Sequence, residues 1–219
     1  LYITGTWTLP KNKDQSLGNN GVIVVADGGT INIPNNSSLS VNNGGKIYVM
    51  KGGSISGSGT LYFDGSGTSG YDYNAGTINI STFNVHGSSF YNVGSITTSA
   101  YQNQTSGYPF INWGKLIVNG DMSTYNCPFY NGCYVKCSNE LTVTDLRLGN
   151  SAYIYSKTLN LNNSQVILGN DAILDTYYLS IGSSSIYGPV SGDDAVFQFA
   201  YFSNLWGTNY LYNHLDFCT

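Results

Sequence analysis

Between Ile23 and Ile55 an apolar pair returns every eight residues, as Ile23/Val25, Ile31/Ile33, Leu39/Val41 and Ile47/Val49, with Gly, Asn or Ser between the pairs. The alternation inside each pair is that of a strand with one dry face, and short strands at a fixed return interval predict a solenoid. Further on the interval lengthens to about twenty: Leu148-Gly149-Asn150 is followed by Leu168-Gly169-Asn170, and Leu146 by Val166 and then Ile186. No stretch has a useful helical period. The expected fold is therefore all-β: a single-stranded parallel β-helix, right-handed by the crossover rule, with coils of about 16–20 residues and a non-repeating cap at each end.

Residues 1–20 break the pattern with Pro10 and the charged stretch Lys11-Asn12-Lys13-Asp14, and are expected to form the first cap. Residues 21–188 carry the coils, with Gly/Ser-rich residues 57–72 read as a projecting loop. Residues 189–219 are expected to supply a last strand and an aromatic cap. An aromatic-Asn-Gly unit recurs as Tyr73-Asn74-Ala75-Gly76, Phe90-Tyr91-Asn92-Val93-Gly94, Phe110-Ile111-Asn112-Trp113-Gly114 and Phe129-Tyr130-Asn131-Gly132. In that reading the ring fills a corner, Asn and Gly turn the chain, and stacked Asn side chains bond coil to coil.

The last regular stretch aligns best. Leu141/Val143, Leu159/Leu161 and Leu179/Ile181 form one inward column, and Val135, Ile154 and Leu174 another. That register places Tyr134, Tyr153 and Ile173 in one external column, and Lys136, Tyr155 and Asp175 in the next. Such columns suit a sugar ring or a partner protein, and they equally suit tyrosines that only brace neighbouring coils.

Composition narrows the function. Of 219 residues 9% are charged, against about a quarter in ordinary domains, so uncharged polar side chains must supply solubility, as on a surface protein. The net charge of -4 and the lone Arg147 argue against nucleic acid, whose affinity rests on Lys/Arg contacts to phosphate. No apolar run is long enough to span a bilayer. The chain starts at Leu1 without an initiator Met, so an export signal is expected to have been removed. Four cysteines, Cys127, Cys133, Cys137 and Cys218, read as small buried apolar residues or as disulfide partners. Cys133 and Cys137 on one strand would lie roughly 13 Å apart, beyond the limit of about 7 Å for a bridge. No metal-ligand spacing occurs, and no cofactor is expected.

Candidate acid/base chemistry is sparse. Asp193-Asp194 could bind calcium or act on a glycosidic bond, but a turn opening the last strand explains the pair as well. His214 with Asp216 could form an acid/base couple, set in an aromatic tail whose expected duty is to cap the core. Catalytic residues are therefore not assigned.

Three features together resemble the solenoid region of LruC-domain surface proteins from Bacteroidetes: the segment Asn160-Leu161-Asn162-Asn163-Ser164-Gln165-Val166-Ile167-Leu168-Gly169-Asn170, the aromatic-Asn-Gly units, and the closing Ile186-Tyr187-Gly188-Pro189-Val190-Ser191-Gly192-Asp193-Asp194-Ala195-Val196-Phe197. The resemblance implies an exported, cell-surface or outer-membrane-attached chain, part of a longer protein, adhesive in role and without catalytic residues. Its partner would be a surface glycan or a protein ligand. The alternative is a carbohydrate-active β-helix that binds or cleaves polysaccharide.

Overall fold

The computed structural model describes residues 1–18, 20–64, 70–103 and 108–219. Among them are 23 strands and no helix, and every strand pairing is parallel. The chain visits three faces in turn and then climbs one rung. Its first coil runs Tyr2–Ile3, Thr6–Thr8 and Asp14–Leu17; its second runs Val22–Val25, Thr30–Asn32 and Ser38–Asn42. The register Tyr2↔Val24, Thr6↔Thr30 and Asp14↔Ser38 stacks one on the other face by face. The fold is a parallel β-solenoid of about ten turns.

The coil length departs from the expected 16–20 residues at the N-terminal end. Thr30 stacks on Ser54 at a separation of 24, so an eight-residue unit is one face and three of them close a coil. Later coils shorten to 18, 20 and 19 residues, seen at Asn74, Asn92, Asn112 and Asn131. They shorten because the second and third faces fuse into single bent strands such as Thr77–His86, whose register slips between Ile80 and Thr82. A bulge turns that corner where the early coils use a Gly or Asn bend.

Both expected caps are themselves coils. Residues 2–17 sit in register on the second coil, and their irregular sequence falls at a corner, around Pro10. At the other end Ala195–Trp206 stacks on Ile173–Gly182, and Leu215–Cys218 on its first part. Residues 57–64 and 71–72, expected in a projecting loop, are strand: Ser54–Asp64 runs across two faces and Tyr71–Asn74 is a further strand, while residues 65–69 lie outside the described residues. Alternating Ser and Gly there read as loop, yet Ile55, Leu61 and Phe63 keep the dry face.

The interior is filled by aliphatic columns and one aromatic column. Leu141, Leu159 and Leu179 are in register and fully buried, as are Val135, Ile154 and Leu174. Phe90, Phe110 and Phe129 stack behind the first face, with ring centroids 5.5 and 5.7 Å apart. These rings occupy the core rather than a corner, because Phe and the Asn two residues on share strand parity and both point inward. The Asn side chains then form a buried ladder: Asn74 Nδ2 donates to Asn92 Oδ1, Asn92 to Asn112 and Asn112 to Asn131, each at 2.7 Å. Beside the ladder Gly76, Gly94 and Gly114 let successive corners touch, since a Cβ on Gly114 would lie 2.1 Å from the Gly94 carbonyl oxygen.

Candidate functional site

Three consecutive coils present the second face through Tyr134–Leu148, Tyr153–Asn162 and Ile173–Gly182. With Val135, Ile154 and Leu174 locked in the core, strand parity leaves their neighbours no direction but outward. The observed register is Tyr134↔Tyr153↔Ile173 and Lys136↔Tyr155↔Asp175, the two external columns read from the sequence.

The outward side chains make a shallow groove of about 510 Å³ lined by Tyr134, Lys136, Ser138, Tyr153, Tyr155 and Asp175. Tyr134 and Tyr153 stack with centroids 5.7 Å apart and planes inclined by 12°. Lys115 Nζ and Lys136 Nζ each lie 6.0 Å from a ring centroid, over Tyr134 and Tyr155, which holds the cations against the aromatic strip. The Tyr153 hydroxyl donates to Asp175 Oδ2 at 2.5 Å. Burial first, and then the hydrogen bond to Asp175 and that carboxylate's charge, push the Tyr153 phenol well above its ordinary range, so it remains a donor at any physiological pH.

Ile173 continues the first column without lining the groove, whereas Ser138 lines it and was not anticipated. A second recess of about 220 Å³ shares Tyr155 and Asp175 and adds Tyr177, Gln198 and Phe199. Tyr177, Tyr178 and Tyr201 cluster beside it, with centroids 4.7 to 5.7 Å apart, and all three are exposed. The adjacent Tyr177-Tyr178 pair signals this extension in the sequence, but its partner Tyr201 lies on a coil whose register no repeat announces.

The remaining candidates lie apart from the groove. His214 Nδ1 sits 3.1 Å from Asp194 Oδ1, not beside Asp216, which pairs in register with Val196 on the last strand. The couple is Asp194–His214 because the bend before Ala195–Trp206 stacks under the bend before Leu215–Cys218. Asp193 is exposed at the same bend, and neither aspartate lines a described cavity with a second carboxylate. Among the described residues no group of three His, Cys, Asp or Glu is arranged to hold a metal, and no helix is long and apolar enough to cross a membrane. The four cysteines are free thiols. Burial raises Cys127 and Cys137 to about 11, while Cys133 is exposed at a bend rather than inward.

Comparison with known family models, with curated proteins and with solved structures returns no match to this chain.

Proposed function

We propose that the chain is a non-enzymatic binding domain of an extracellular or cell-surface protein, and that the groove on its second face takes a glycan. The observation that carries this reading is the rigid stack of Tyr134 and Tyr153 beside Asp175, Lys136 and Ser138 in one open groove. A sugar ring offers an apolar face to an aromatic strip and hydroxyls to flanking polar groups, and the solenoid has already ordered both, so little side-chain entropy is lost on contact. Among the described residues Asp175 is the one carboxylate lining the groove, and Tyr153 occupies one of its oxygens. Glycosidases of the usual kinds flank the scissile bond with a pair of carboxyl groups, so this arrangement favours binding over cleavage. Few charges, a repetitive surface and the resemblance to LruC-domain proteins support the cell-surface, adhesive setting.

A glycan array followed by titration of the best ligand tests the reading. Tyr153→Ala should weaken that ligand at least about tenfold, or about 1.4 kcal/mol, with the fold unchanged by circular dichroism. Release of reducing ends by the wild-type chain would reassign it as an enzyme, and failure to retain any glycan would remove the reading.

A further inference from the structure

The second face changes character along the rod. Above the fifth coil it carries the tyrosines and lysines of the groove, but below it the outward side chains are small and uncharged. One rank is Thr6, Thr30, Ser54, Thr77 and Ser95, in unbroken register. The parallel rank, two residues along each strand, is Thr8, Asn32, Ser56, Asn79 and Thr97. Every side chain of both ranks is exposed or half-buried. Behind them Ile31, Ile55, Ile78 and Ile96 are fully buried, which fixes the sheet beneath the array. The register slip at the neighbouring corner falls beyond the array, between Ile80 and Thr82.

This is a grid of hydrogen-bonding groups spaced by about 4.8 Å from rung to rung and about 6.7 Å along the strand. Thr30 Oγ1 and Ser54 Oγ lie 2.8 Å apart, so one hydroxyl bonds across the rung while each keeps capacity for water. Asp27 and Lys51 of the same coils lie in turns between the first and second faces, off the flat of the grid, and Lys115 begins only at its upper edge. Charge complementarity selects the occupant. A charged groove favours a charged or strongly polar ligand, whereas a rigid uncharged grid matches an uncharged lattice whose own hydrogen-bonding oxygens repeat on a similar scale. Frozen water is such a lattice, and the grid would order first-layer water in advance of contact.

We propose that the uncharged half of the second face is an ice-binding surface, separate from the groove. The purified chain should be taken up into a slowly growing ice hemisphere and should slow ice recrystallisation. Thr77→Lys and, independently, Asn79→Lys place a cation in the grid at exposed positions; each should raise the concentration needed to stop recrystallisation at least about tenfold. Circular dichroism and the thermal midpoint establish that both variants are folded. Tyr155→Ala, in the groove, should match the wild type on ice whether or not it affects glycan retention. Exclusion of the wild type from ice, like a globular control of equal mass, would overturn the proposal. So would full ice activity in both lysine variants. Retention on microcrystalline cellulose that is lost in Thr77→Lys, without activity on ice, would transfer the face to a solid polysaccharide and likewise reject ice.

Discussion

Asp72 occupies a place that the next three coils of its column give to an apolar ring. It is in register with Phe90, which stacks in turn under Phe110 and Phe129, and it is fully buried. Oδ1 accepts the Ile47 backbone N–H at 2.8 Å, and Lys46 Nζ lies 4.0 Å from Oδ2. Burial outweighs both and lifts the carboxyl from 3.8 to about 6. An acid whose folded value is raised binds its proton more tightly in the native state. Its contribution is therefore most favourable below about pH 4, declines between about pH 4 and 6, and is flat above, a swing of about 3 kcal/mol. In urea denaturation at stepped pH, Asp72→Asn should remove that decline; an unchanged slope would show that Asp72 titrates normally. The recurring aromatic-Asn-Gly motif was legible in the sequence, but Asp72 was not: in the first unit the aromatic is Tyr73, one residue nearer to Asn, so the inward position went unread. Parity relative to Asn, rather than the presence of a ring, decides what faces the core.

The element that the sequence describes most fully is the strand. Alternation alone gave the inward columns through Leu141, Leu159 and Leu179 and, by subtraction, the outward columns that line the groove. Leu159 is enclosed by Leu141 below and Leu179 above, so Leu159→Asp places a carboxylate where no water or donor reaches. The loss should exceed about 4 kcal/mol and show as a large fall in the urea midpoint, whereas Thr158→Lys on the outward parity, in register with Glu140, should change it little. What the strands hid was their corners. Eight-residue units count equally well as halves or thirds of a coil, because periodicity reports a face and not how many faces close a turn. Residues 57–64 misled for a related reason: Gly and Ser in a strand weaken its propensity, but coils stacked on both sides supply the hydrogen bonds.

On the scale of the whole molecule the stack is uneven. The middle coils share the Asn ladder and the Phe column, both hidden from water. The last coils leave Trp206 exposed, and Phe202, Leu205 and Leu211 exposed around an apolar recess of about 250 Å³. Because each coil touches only its neighbours, local opening should follow this gradient. Amide hydrogen exchange should be slowest at Asn92, Asn112 and Asn131 and faster by orders of magnitude beyond Tyr201; uniform protection would show a single cooperative unit. That gradient is not written in any one motif, since it depends on which faces find a neighbour.

The same arrangement has a mechanical consequence. Parallel rungs joined along the rod share their backbone bonds so that tension on the two ends peels one coil at a time instead of shearing all of them together. A peeled coil of 19 residues would release a contour of about 65 Å. A tether built this way would lengthen in steps under load, yielding first at its frayed final turns and holding at the amide ladder.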